Sequence, residues 1–184
     1  MNRTRIVILV FFVLSAVIQF QVHRSERSSR TASGPKKGAA APALALADIN
    51  GRPVSLDDFR GKIVIIDFWA TWCGPCMAEF GVLDPWWREQ AETGVQDHVV
   101  FLAVNVQESR ETVRSFLDKS PLPFVMLLDE DASVARRYGV EALPTLMIID
   151  REGVVVSTDT GYDPAVGAKL TGRLRSMIEA GRTP

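Results

Sequence analysis

Cysteine and histidine are scarce in this chain: its 184 residues include two of each. Two cysteines are too few for the stapled framework of a small secreted domain. A structural zinc site needs four ligands, and of the two histidines His23 lies in the N-terminal segment and His98 stands alone, so no metal is expected. Neither sign of charge is in excess. The 21 basic and 22 acidic residues leave a formal net charge of −1, which offers nucleic acid no basic footprint and excludes it as an expected partner. No internal repeat is visible. What remains is enough apolar sequence for one self-sufficient core in a domain of roughly 140 residues, with a separate segment ahead of it.

That segment carries the one long apolar run. Residues 6–22, "IVILVFFVLSAVIQFQV", follow Arg3 and Arg5 and would span roughly 25 Å as a helix, just short of a hydrocarbon core. Residues 1–22 are therefore expected to be an uncleaved transmembrane signal-anchor. A cleaved signal peptide is the competing reading, but the small-residue sites Thr31-Ala32-Ser33 and Ala39-Ala40-Ala41 lie well beyond the end of the run. Residues 23–41, rich in Ser, Arg, Gly and Ala, read as a flexible linker. Their basic residues Arg24, Arg27, Arg30, Lys36 and Lys37 outnumber Arg3 and Arg5, so a count of flanking charge points the C-terminal part inward. Long domains translocate with little regard to that count.

Residues 42–184 alternate between strand-like and helix-like patterns. Residues 43–46 and 53–56 flank "DINGR", whose Asn50-Gly51 pair marks a hairpin turn. Residues 63–69 and 99–106 are apolar runs suited to strands buried on both faces. A helix is predicted from near Cys73 through Phe80, with a bend or break between Gly81 and Pro85, because Asp84-Pro85 reads as a fresh helix start. Residues 109–118 form an amphipathic helix with Val113, Phe116 and Leu117 inward. A third buried strand follows at 124–128, then a short helix at 132–138 ended by Gly139. Residues 145–149 and 154–157 make an antiparallel hairpin through "DREG". Residues 165–180 close the chain as a helix with Val166, Leu170, Leu174, Met177 and Ile178 inward. The fold class is α/β, a central mixed sheet flanked by helices and opened by an N-terminal β-hairpin.

Both cysteines stand in "IVIIDFWATWCGPCMAEF", residues 63–80. A Cys-x-x-Cys loop is too short to stabilise a fold much by closing it, so Cys73 and Cys76 are read as chemistry. At the N-terminus of a helix, unpaired N–H groups and the macrodipole favour a thiolate, which makes Cys73 the nucleophile. Cys76, one turn on and deeper, resolves the mixed disulfide. Pro75 pre-sets φ in the first turn, and Gly74 lets a partner chain approach. Asp67, near the end of a buried strand, is a candidate to exchange a proton with Cys76; the alternative is a strand-end acid that reaches solvent. Glu79, on the same helical face as Cys76, is a second candidate, or else an ordinary exposed helix glutamate. Haem attachment needs His after the second cysteine, where Met77 stands. A peroxidatic cysteine would want Pro-x-x-x-Thr-x-x-Cys, and position 66 is Ile. His98 reads as a surface residue; Trp86 and Trp87 are candidates for a recognition surface, with one or both read instead as core.

With these residues the chain resembles the thioredoxin superfamily. "DFWATWCGPC" (residues 67–76) resembles the thioredoxin active site, and "ALPT" puts Pro144 where that superfamily has a cis-proline facing the disulfide. The resemblance implies a thioredoxin-like fold and a redox-active Cys73–Cys76 pair with no other cofactor. It also implies a substrate-binding surface of Trp72, Gly74, Pro75, Leu143 and Pro144. The longer separation between Cys76 and Pro144 implies an inserted strand–helix unit. Together with the hairpin, "VNVQES" (residues 104–109) and the apolar N-terminus, it resembles the TlpA/ResA branch of membrane-tethered, extracytoplasmic thiol–disulfide oxidoreductases, some of which reduce apocytochrome c. Glu79 matches the helix acid of that branch. The Gly-Pro dipeptide with Asp67 is instead the thioredoxin pattern.

The expected activity is reduction of disulfides in protein substrates, with re-reduction by a membrane electron donor of the thiol–disulfide relay type. The expected location is the cell membrane, single-pass, with the catalytic domain on the periplasmic or outer face. The alternatives are a thiol-dependent peroxidase of the redoxin group and a non-catalytic tethered thioredoxin-fold binding module.

Overall fold

The computed structural model describes residues 34–181; the expected anchor and most of the expected linker lie outside them. No helix among the described residues is long and apolar enough to cross a membrane. Seven strands form one sheet: β1 (Ala45–Asp48), β2 (Pro53–Ser55), β3 (Ile63–Trp69), β4 (Val99–Val106), β5 (Val125–Asp129), β6 (Thr145–Ile149) and β7 (Val155–Thr160). Their spatial order is β2-β1-β5-β4-β3-β6-β7. β3, β4 and β5 run parallel, and the other neighbours pair antiparallel. Four α-helices are described: α1 (Gly74–Glu92), α2 (Arg110–Leu117), α3 (Ser133–Arg137) and α4 (Val166–Ala180). This is the expected thioredoxin-like mixed sheet, with β1–β2 as the N-terminal hairpin.

β3 is buried along its whole length, and the period of two sorts its residues between two cores. Ile63, Ile65 and Trp69 join α1 and α4 in one cluster, to which Val113 of α2 also belongs. Val64, Ile66 and Phe68 join Val134, Ala135 and Tyr138 on the other face. The crossovers β3–α1–β4 and β4–α2–β5 step in the same direction across the sheet, so right-handed connections lay α1 and α2 on the same face. β6 lies on the opposite side of β3 from β4. β3 is therefore the point where strand order reverses, and its carboxyl end is where such sheets open a crevice.

Two expectations need correction. The helix does not break at Pro85: α1 is a single 19-residue helix with Pro85 inside it. An interior proline costs about 3 kcal/mol, through its missing N–H and its clash with the carbonyl of Gly81. Against that, Phe80, Leu83, Trp86 and Trp87 are all buried in the core, and each such side chain stabilises the helix in place by about 1.5–3 kcal/mol or more. Packing wins, and Asp84 pairs with Arg88 one turn on instead of capping a new helix. The end of the expected linker is also folded. Gly38 N–H donates to Val155 O at 2.8 Å, Ala41 N–H donates to Gly153 O at 2.9 Å, and Ala40 bridges Val154. These residues find backbone partners along the start of β7, so order begins ahead of residue 42.

Candidate active site

Cys73 caps α1. Its backbone is extended, its N–H closes a turn onto Ala70 O at 3.1 Å, and its Sγ accepts the Cys76 N–H at 3.2 Å. The two cysteines form a disulfide with their Cα atoms 5.2 Å apart. Pro75 stands within the first helical turn, where its missing N–H leaves no hydrogen bond unmade. The expected contrast between an open and a sheltered sulfur is small in this oxidised state: Cys73 is 4% exposed and Cys76 1%. Both residues are packed into the α1 side of the core. Gly74 and Pro75 are exposed beside them, and Trp72 is 73% exposed.

The Leu143–Pro144 peptide bond is cis, as the resemblance implied. Phe68 and Thr145 are register partners on β3 and β6, which brings the residues before β6 alongside the chain leaving β3. The segment is tied on both sides: Thr145 Oγ1 donates to Ala142 O, and Gly161 N–H donates to Pro144 O, each at 2.8 Å. Pro144 is buried and Leu143 half-buried.

Asp67 lies on β3 between Ala103 of β4 and Leu146 of β6. Alternation gives it the same face as Ile65 and Trp69, the face α1 covers. It is fully buried, and neither carboxylate oxygen has a protein hydrogen-bond partner. It is therefore not a strand-end acid reaching solvent. Burial, reinforced by the charge of Glu79, holds its pKa well above the ordinary carboxylate range. Glu79 is likewise not an exposed helix residue. It is 2% exposed, its Oε2 lacks a protein partner, and burial, then the charges of Asp159 and Asp163, raise its pKa from 4.5 to about 7. Those two outer carboxylates are paired with Arg173 and Lys169. Glu79 thus feels charge from two carboxylates nearer the surface and in turn raises the buried Asp67.

One cluster escaped the sequence reading. Glu108 Oε2 accepts the Thr71 N–H and an Asn105 Nδ2 hydrogen, each at 2.7 Å, and its Oε1 accepts the Thr71 hydroxyl. The available signal was the buried, polar Asn105 in an apolar strand with an acid three residues on, inside the "VNVQES" stretch already singled out. Neither residue had been given a role.

A Cys-x-x-Cys disulfide at a helix N-terminus, set at the switch point of this sheet next to a cis-proline, defines a thioredoxin-like thiol–disulfide oxidoreductase. The chain belongs to the AhpC/TSA family, whose model matches residues 37–158. It is 35% identical over 159 residues to the thiol-disulfide oxidoreductase ResA of Bacillus subtilis (strain 168), covering 86% of this chain and 83% of that protein. It is also 35% identical over 153 residues to ResA of Geobacillus thermodenitrificans (strain NG80-2), covering 83% and 84%. Among solved structures it resembles one bearing the name thiol:disulfide interchange protein DsbE, from Chlorobium tepidum. The two share 32% identity with a TM-score of 0.70, over 79% of this chain and 99% of that one.

Proposed function

We propose that the chain is a membrane-anchored, extracytoplasmic reductase of disulfides in protein substrates, apocytochrome c among the candidates. The observation that carries this reading is the Cys73–Cys76 pair backed by two buried, unpaired carboxylic acids, Asp67 and Glu79. The Cys73 thiolate attacks one sulfur of the substrate disulfide. That bond breaks, a mixed disulfide forms, and the first substrate thiolate leaves. Asp67 then takes the proton of Cys76, and the Cys76 thiolate attacks Cys73 Sγ. The mixed disulfide breaks, the substrate leaves as a dithiol, and the enzyme is left oxidised. Glu79, held near neutral pKa, passes the proton outward toward the Asp159–Asp163 surface. Trp72, Gly74, Pro75, Leu143 and Pro144 present the surface on which the substrate strand lies. A membrane dithiol donor re-reduces the pair, and the apolar run at residues 6–22 holds the enzyme beside it.

Two measurements test this. A Cys76→Ser variant expressed in its native compartment should accumulate disulfide-linked complexes through Cys73, and recovery of c-type apocytochromes among them would identify the substrate. A reduction potential near about −270 to −200 mV fits a reductase, whereas one near about −120 mV, that of a dedicated oxidant, overturns the direction proposed. Peroxide consumption lost in Cys73→Ser, with no protein trapped, would favour the peroxidase alternative.

A further inference from the structure

We infer that Glu108 is a positioning residue that governs the reactivity of Cys73 by clasping the turn on which that thiol is mounted. The turn runs from Ala70 to Cys73 and is closed by the Cys73 N–H on Ala70 O at 3.1 Å. Thr71, inside it, gives both its backbone N–H and its hydroxyl to the Glu108 carboxylate. The same carboxylate takes the Asn105 amide, and Asn105 is fully buried on β4, register partner of Trp69 at the end of β3. One side chain therefore couples the end of β4 to the loop between β3 and α1.

The backbone on the Glu108 side has no slack. β4 ends at Val106, and Ser109 already caps α2 by accepting the Thr112 N–H. Gln107, between them, has a φ of 61°, a left-handed conformation that costs a non-glycine residue about 1 kcal/mol or more. Its N–H is anchored on Asp129 O at 3.0 Å. The chain accepts this strain where it turns Glu108 back over Thr71, and strain of this kind is retained where the geometry it produces matters.

The consequence for chemistry is geometric. Cys73 Sγ draws on the Cys76 N–H and on the helix terminus only while the turn presents it in line with α1. Releasing Thr71 lets that alignment wander. The negative charge of Glu108 acts in the opposite sense, because a nearby carboxylate disfavours a thiolate. Geometry and charge can be separated. A glutamine can accept the Thr71 N–H and the Asn105 amide through its carbonyl oxygen and donate its NH₂ to the Thr71 hydroxyl. It preserves the clasp and removes only the charge.

The inference rests on Cys73 being the attacking thiol and holds for either redox direction. The test is alkylation of the reduced full chain by iodoacetamide across a pH series, with the modified residue located by mass spectrometry. Glu108→Ala should alkylate at Cys73 roughly fivefold more slowly near neutral pH, with its profile displaced to higher pH. Glu108→Gln should match or exceed the native rate. Thr71→Val, which loses only the hydroxyl bond, should shift in the same direction as Glu108→Ala but less, and stands in for it if that variant does not fold. Native rates and profiles in both Glu108→Ala and Thr71→Val would overturn the inference alone. So would a Glu108→Gln variant as slow as Glu108→Ala. Alkylation of the native protein at Cys76 instead of Cys73 would overturn the attack order proposed above along with it.

Discussion

Replacing Glu79 with glutamine isolates the electrostatic cost built into the site. In the fold its carboxyl titrates at about 7 instead of 4.5, chiefly because it is buried and secondarily because Asp159 and Asp163 face it. Between those two pH values the folded chain holds a proton that the unfolded chain has released. The stability contributed by protonated Glu79 is thus fully present below the unfolded pKa and is lost as pH rises through the folded one. At about 1.4 kcal/mol per pH unit of difference, ionised Glu79 costs the fold about 3 kcal/mol at alkaline pH. Part of the elevation of Asp67 also comes from Glu79, so Glu79→Gln relieves both. The assay is urea unfolding of the oxidised protein and the variant from about pH 5 to about pH 8, with the disulfide intact. The variant should gain on the native protein as pH rises to about 7 and then level off, about 3 kcal/mol ahead of its acid-side difference. A glutamine amide in the same buried place carries its own penalty, but that penalty does not depend on pH, so the slope is the measurement. A stability difference that stays flat with pH, or narrows as pH rises, would refute the reasoning.

Asp67→Asn should leave attack on substrate intact and slow release from the mixed disulfide by about 10²-fold near neutral pH, seen as an accumulating covalent complex in single-turnover experiments. Unchanged release would remove Asp67 from proton transfer. Arg173→Ala uncovers Asp159, which the guanidinium now holds through paired hydrogen bonds. Carboxyl NMR should then show Glu79 titrating higher than in the native protein, and an unmoved titration would refute the coupling. Leu83→Ala, at a fully buried position in the middle of α1, should cost about 2–5 kcal/mol of unfolding free energy while the potential of the cysteine pair stays put. A loss below about 1 kcal/mol would contradict the claim that packing carries the helix past Pro85.

The legible parts of the fold were those whose cause is local. The strands at 63–69 and 99–106 fall within the expected bounds because long apolar runs with β-branched residues have few other uses. Ser109 caps a helix as its residue type suggests, and the spacing of the two cysteines announced their disulfide. The illegible parts depended on residues far along the chain. Pro85 argued for a helix end by every local rule, and the sheet and α4 packed against Phe80, Leu83, Trp86 and Trp87 overrule it. Residues 38–41 look like solvated linker until β7 supplies backbone partners. Nothing near Glu108 in sequence announces its partner, because its carboxylate holds Thr71, 37 residues away.

What the sequence by itself determined is the chemistry on offer: two thiols one helical turn apart, an acid at an inward strand position, another on the thiol-bearing helix, and a proline ahead of a strand. The period-two alternation of β3 even assigns Asp67 to the face of Ile65 and Trp69. Which helix would cover that face, and how completely, was decided only when the crossovers closed. Desolvation is a property of everything packed around a group and not of its neighbours in sequence. For that reason the tertiary structure alone turns Asp67 and Glu79 from two ordinary carboxylates into buried acids of raised pKa, one on the strand under the disulfide-bearing helix and one on that helix.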